Sequence, residues 1–189
     1  MTSQADLLSA IADRLDAAGV PHMVVGSIAG SFHSEPRTTV DIDIVIDPTA
    51  GALRSFVDSL PRDDYYVDAN AAAEAFARRS AFNVIEHATG WKVDLLLRKE
   101  RPFSRSEFER RMTAQLFGRD TPVATAEDTI IAKLEWAKAG ESERQLRDVV
   151  AILSANPQSL DREYIERWVS ELDLTDTWQQ AVDLARDRD

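Results

Sequence analysis

Three aspartates occupy positions where a strand pattern makes a carboxylate costly unless something answers its charge. In the run Thr38 to Ile46, Val40, Ile42, Ile44 and Ile46 hold one parity while Thr39, Asp41, Asp43 and Val45 hold the other. A period of two therefore puts Asp41 and Asp43 on one strand face, Cβ atoms about 6.6 Å apart, opposite an apolar stripe. Two such carboxylates repel, and a hard divalent cation between them reverses the balance. Asp94 interrupts the otherwise apolar Val93-Asp94-Leu95-Leu96-Leu97. Burying it unpaired would cost several kcal/mol, so it must sit at a strand edge, be paired, or bind a metal. If its strand neighbours Thr38 to Ile46, the three acids share a surface. Asp94 is then a candidate base for a hydroxyl whose pKa the metal lowers.

Upstream, Gly26-Ser27 follows the short apolar run His22 to Val25 and opens a small-residue helix. Glycine permits a tight turn and close approach to a phosphate, and the Ser27 hydroxyl with free helix N–H groups can hold anionic oxygens. A plain turn or helix cap explains the same two residues, and paired surface acids alone explain Asp41 and Asp43.

The elements that must position these residues can be read from periodicity. An amphipathic helix runs from Ala5 to Ala18 and stops at Gly19 and Pro21; a strand covers His22 to Val25, followed by a helix to about Phe32. After the strand at Thr38 to Ile46 come a helix over Ala52 to Leu60, a short strand at Tyr65 to Val67 and a helix over Ala71 to Arg79. A weak strand at Phe82 to Glu86 turns through His87 to Gly90 into a strand at Trp91 to Leu97. Phe103 to Met112 reads as a helix leading through an apolar stretch to Pro122. Thr125 can cap a helix that ends near Gly140, and helices follow over Gln145 to Leu153, Arg162 to Val169 and Thr175 to Arg186. The expected fold is α/β: a mixed β-sheet core over residues 1–121, with a C-terminal helical bundle over residues 122–189 packed on it.

Composition narrows the class. The chain of 189 residues is 44% hydrophobic and 29% charged, in the globular range. It has no Cys, which removes disulfides and thiolate chemistry. The N-terminus lacks a signal pattern, and no apolar run nears the about 20 residues that span a bilayer. A cytoplasmic protein with no membrane partner is expected. A net charge of -11 opposes nonspecific attraction to nucleic acid, although Arg98, Lys99, Arg101, Arg105, Arg110 and Arg111 could form a local anion-facing edge. The three His make no metal-ligand motif, and Trp136, Trp168 and Trp178 read as helix-packing residues.

Taken in order, Val24-Val25-Gly26-Ser27, then Asp41-Ile42-Asp43-Ile44 after thirteen intervening residues, then Val93-Asp94-Leu95 resemble the polymerase-beta-type nucleotidyltransferase superfamily. Arg37 to Asp43, Ala126 to Leu134 and Arg147-Asp148 resemble its AbiEii-like group of bacterial toxin nucleotidyltransferases. The resemblance spans roughly Val24 to Leu153. It implies Mg2+-dependent transfer of a nucleoside monophosphate from a nucleoside triphosphate (NTP) to an acceptor hydroxyl, with pyrophosphate leaving. Asp41, Asp43 and Asp94 would bind metal, with Asp94 as base. Gly26, Ser27 and Lys133 would contact the triphosphate, Arg37 a substrate phosphate, and Asp148 would lie near the site. Without the resemblance, Lys133 is better explained as a snorkelling helix residue; Asp148 can pair with Arg144 or Arg147, of which only Arg144 has the i,i+4 spacing; and a structural salt bridge explains Arg37 equally well. The acceptor stays open among RNA, protein and a small, antibiotic-like molecule; a toxin with an antitoxin protein partner and a catalytically inactive module binding a nucleotide or protein are the competing roles.

Overall fold

The structure is a computed structural model and describes residues 3–35, 41–140 and 142–186. Arg37 and the 38–40 part of the expected strand lie outside them. The chain divides into two compact units, one drawn from Met1–Ile28 and Thr38–Val123, the other from Ala29–Arg37 and Ala124–Asp189. The boundary falls inside one short helix, so a segment far from the C-terminal region in sequence belongs to the same unit.

The first unit contains a mixed sheet built, among the described residues, from β1 (His22–Val24), β2 (Ile42–Ile46), β3 (Tyr65–Val67), β4 (Ala81–Glu86), β5 (Lys92–Leu97), β6 (Met112–Leu116) and β7 (Arg119–Val123). Their order is β3-β4-β5-β2-β1-β7-β6. β2 runs parallel to β5 and antiparallel to β1. Helices α1 (Gln4–Ala17), α3 (Ala50–Ser59), α4 (Ala69–Arg78) and α5 (Pro102–Arg110) accompany the sheet. The alternation in β2 works as a burial code: Ile42, Ile44 and Ile46 are fully buried, and Val93, Leu95 and Leu97 of β5 continue the same apolar layer. Leu7, Leu8, Ile11 and Leu15 of α1 and Phe56 of α3 are likewise excluded from water. α1 opens with a capping box, in which the Ser3 hydroxyl accepts from the Asp6 N–H and Asp6 accepts from the Ser3 N–H.

The hairpin β6–β7 departs from the sequence expectation, which ran a helix to Met112 and an apolar stretch to Pro122. The helix ends at Arg110. Polar residues on the exposed parity and a proline in the second strand mask the alternation, yet Ala114, Leu116, Thr121 and Val123 are buried. The turn uses left-handed backbone at Phe117 and Gly118, φ 51° and 82°, which matches strand twist in a tight hairpin. Arg119 then ties the hairpin to α1, donating to Asp16 at 2.6 Å and to Asp13.

At the C-terminal ends of β2 and β5, an ion cluster clamps the parallel pair. Asp47 accepts from Arg98 Nε at 2.8 Å and from Arg79 at 3.1 Å, while the Arg98 N–H donates to the Ile46 carbonyl at 2.9 Å. Glu100 takes the remaining guanidinium groups of Arg79, Arg98 and Arg105. These contacts engage Arg98 and Arg105, two of the six residues of the basic edge that the sequence displayed.

In the second unit α6 (Ala126–Lys138), α7 (Ser142–Ala155), α8 (Arg162–Glu171) and α9 (Thr175–Arg186) form a helical bundle. Ile130, Ile131, Leu134, Val149, Val150, Ile152, Ile165 and Ala181 supply its core. Thr125 caps α6, as expected. Asp128 in that first turn is fully buried and fully used: it accepts from Thr125 Oγ1 and from the Tyr164 hydroxyl, both at 2.6 Å. Trp168 and Trp178 are buried, but Trp136 is 55% exposed. Its position falls off the stripe made by Ile130, Leu134 and Ala137, which corrects the packing role expected for it.

Asp47→Ala should lower the unfolding free energy by about 1–3 kcal/mol, because it strands two partly buried guanidinium groups; a urea melt at neutral pH measures the loss, and an unchanged midpoint would show that the cluster does not hold the strands.

Candidate carboxylate site

The parallel register between β2 and β5 decides which side chains meet. Ile42 faces Val93, Asp43 faces Asp94 and Ile44 faces Leu95. Asp43 and Asp94 are therefore direct neighbours on adjacent strands, about 4.8 Å apart at the backbone. Both are partly exposed, on the face opposite the buried Ile42, Ile44, Val93 and Leu95. Asp41, one residue before β2, shares the parity of Asp43. The edge of the row continues into β4, where Asn83 stands opposite Asp94.

Gly26 closes the row from the β1 side. β1 pairs antiparallel with β2, and the Val25 N–H donates to the Asp43 carbonyl at 3.0 Å. The chain then turns into α2 (Gly26–Phe32) through Gly26 at φ 64°. A Cβ at Gly26 would overlap Asp43 Oδ2 and come within 2.9 Å of its Cγ. Glycine is required here twice, for the left-handed backbone and for the carboxylate lying against its Cα. Ser27 is the next residue, in the first turn of the same helix.

A residue that sequence reasoning passed over completes the arrangement. Lys92 shares the parity of Asp94, and its Nζ lies 2.8 Å from Asp94 Oδ2. The Asp94 carboxylate holds this ammonium above the usual lysine range, and the charges of Asp41 and Asp43 push it the same way. The three acids and one lysine thus form one electrostatic group. Two-residue spacing in a strand was the available signal, the same rule that linked Asp41 to Asp43.

The donors present suit a hard divalent cation: they are carboxylate oxygens, and a cationic group already rests against one of them. Asp41 and Asp43 would hold such an ion, with Asp94 beside them. As the side chains stand, however, no group of three His, Cys, Asp or Glu among the described residues is arranged to enclose a metal. The three acids form a row on one strand face, with Lys92 against Asp94.

Lys133 and Asp148, read separately from the sequence, belong together in the second unit. Lys133 is 4% exposed and donates to Asp148 Oδ2 at 2.7 Å and to Gln145 Oε1 at 3.2 Å. Its stem crosses Gly30, where an added Cβ would stand 3.1 Å from Lys133 Cε. Asp148 therefore pairs with a lysine one helix away. Burial of one ammonium demanded a carboxylate and an amide, and α7 supplies both one turn apart. The three histidines each bond a backbone carbonyl: His22 to Val20, His33 to Ala124 and His87 to Asp63. Burial holds His33 below the ordinary imidazole range. These are structural roles, in line with the sequence.

Among the described residues, no helix is long and apolar enough to cross a membrane. No family model and no curated protein matches the chain. Solved structures do. An antigenic nucleotidyltransferase-like protein from Paracoccidioides brasiliensis superposes with a TM-score of 0.54 at 17% identity, covering 93% of this chain and 91% of its own. ANT(2")-Ia in complex with adenylyl-2"-tobramycin gives 0.58 at 15% identity, over 89% of this chain and 95% of its own. The lincosamide antibiotic adenylyltransferase LnuA, lincomycin-bound, gives 0.55 at 13% identity, over 82% and 98%. With these three structures the chain shares its fold, a mixed sheet followed by the helices α6–α9.

Proposed function

We propose that this chain transfers a nucleoside monophosphate from an NTP to a hydroxyl of a small, antibiotic-like molecule. The observation that carries the reading is the β2–β5 register, which sets Asp94 beside Asp43 with Asp41 on the same face. Two structures of this fold were determined with an adenylylated aminoglycoside or a lincosamide bound, and that chemistry is the one brought to this chain. The resemblance to the AbiEii-like group supports RNA or protein as the acceptor, in a toxin with an antitoxin partner. Against RNA stands the charge of -11, together with the engagement of Arg79, Arg98 and Arg105 by Asp47 and Glu100. The small molecule is therefore preferred.

When bound, a divalent ion such as Mg2+ would polarise phosphate oxygens and acidify the attacking hydroxyl. Asp41 and Asp43 would hold that ion. Asp94 orients the acceptor hydroxyl and takes its proton as the oxygen attacks the α-phosphorus; the bond to the bridging oxygen breaks and pyrophosphate leaves. Gly26 keeps the backbone of the β1–α2 turn against Asp43, and the Ser27 hydroxyl, in the adjoining turn, binds the triphosphate. Lys133 and Asp148 form an internal pair of the second unit, and this mechanism assigns them no step.

A second reading has its own support. Lys92 sits on Asp94, and no three-acid group among the described residues encloses a metal. Both features suit an inactive module that binds a nucleotide or a protein partner.

Incubation with labelled NTPs, Mg2+ and a panel of aminoglycosides and lincosamides separates the two. Acceptor-dependent pyrophosphate release, reduced about a hundredfold or more in a folded Asp43→Asn variant, is the expected result. Saturable NTP binding with no turnover on any acceptor would establish the inactive module instead. Gly26→Ala should preserve most of the fold at a cost of about 1–2 kcal/mol, yet lose turnover because the new methyl displaces the Asp43 carboxylate. Full activity in that variant would show that the close approach is incidental.

A further inference from the structure

The acid row carries a cation that belongs to the chain itself. Lys92 and Asp94 lie two residues apart on one face of β5, with Nζ 2.8 Å from Oδ2. Because Ile42 faces Val93 in the parallel register, the preceding step sets Asp41 level with Lys92. One ammonium thus serves two strands. Its stem is flexible, and both partners keep contact with water, at 41% and 27% exposure. An ion pair so exposed is weak and opens readily.

We infer that Lys92 acts as a resident counter-cation within the carboxylate row, and that the Lys92–Asp94 pair and a bound divalent ion exclude one another. The inference rests on the metal-binding reading of Asp41, Asp43 and Asp94. Before a divalent ion binds, three carboxylates on one face repel, and the lysine relieves part of that repulsion. A divalent ion carries twice the charge on a smaller radius and can take oxygens from more than one carboxylate, so it displaces the ammonium when concentrated enough. Lys92 therefore raises the concentration at which metal enters while making the metal-free state tolerable. A lysine that merely braced the strand would do the reverse, since its removal would loosen the acids and weaken metal binding.

Calorimetric titration of the full chain with Mn2+ distinguishes these roles. Lys92→Met and Lys92→Gln should bind Mn2+ about three- to tenfold more tightly than the wild type. In EDTA both variants should melt lower than the wild type, and Mn2+ should raise their Tm by more. Unchanged or weaker Mn2+ affinity in both variants overturns the inference. The wild type alone provides a second check: on titration with Mg2+, the side-chain ammonium resonance of Lys92 should shift while that of Lys99 stays. A Lys92 resonance unmoved at saturating Mg2+ overturns the inference without any variant. Asp43→Asn locates the fault. Absence of Mn2+ binding in every protein, or binding that survives Asp43→Asn, sinks the site reading and this inference with it. Binding that requires Asp43 but ignores Lys92 sinks the inference alone.

Discussion

The parallel pairing of β2 with β5 is the constraint from which the site follows. Side chains alternate along a strand, so slipping this pair by one residue would leave Asp43 facing a buried valine or leucine position and drive Asp94 toward the apolar layer. Two features hold the register. On one face, Ile42, Ile44 and Ile46 interleave with Val93, Leu95 and Leu97 and leave no room for a carboxylate. At the strand ends, Asp47, Arg79, Arg98 and Glu100 lock the chains where they leave the sheet. The clamp lies at the opposite end of β2 from Asp41, so the elements that stabilise the pairing are separate from those that would do chemistry.

Placing acids side by side has an electrostatic consequence, and the chain answers it locally. Asp43 is pressed against the bare Cα of Gly26, which prevents it from turning toward β1. Asp94 has Lys92 on its own strand. The result is a group of like charges on one face with the Lys92 ammonium against one of them. Asp43 and Asp94 both remain partly exposed. The second unit solves a related problem differently: Lys133 is buried, and Asp148 and Gln145 surround its ammonium with oxygen. The same residue type is half-exposed at one place and buried at the other, and only the buried ammonium must have its charge answered entirely by protein oxygens.

Several elements were legible because short-range patterns encode them. The parity of Asp41 and Asp43, the glycine turn after β1, the Thr125 cap and the amphipathic α1 all follow from spacings of a few residues. The β6–β7 hairpin was not, since Pro122 and the mixed polar and apolar Met112–Gln115 segment hide a strand pair whose buried positions are small or few. Trp136 was misplaced because apolar neighbours do not fix which side of a helix an aromatic residue occupies. The Lys133–Asp148 pair spans two helices and leaves no trace in local spacing.

By itself, the order of residues determined that this chain would build a mixed sheet with two carboxylate-bearing strands and a helical C-terminal bundle, because alternation, capping and turn residues act over distances that a window of sequence contains. Only the tertiary structure decided that β5 lies parallel and adjacent to β2, that Asp94 is level with Asp43, and that Lys92 reaches into the same row. Strand order and register are settled by contacts between segments some fifty residues apart. No local preference in either strand specifies its partner; the buried apolar face and the ion clamp at the strand ends do.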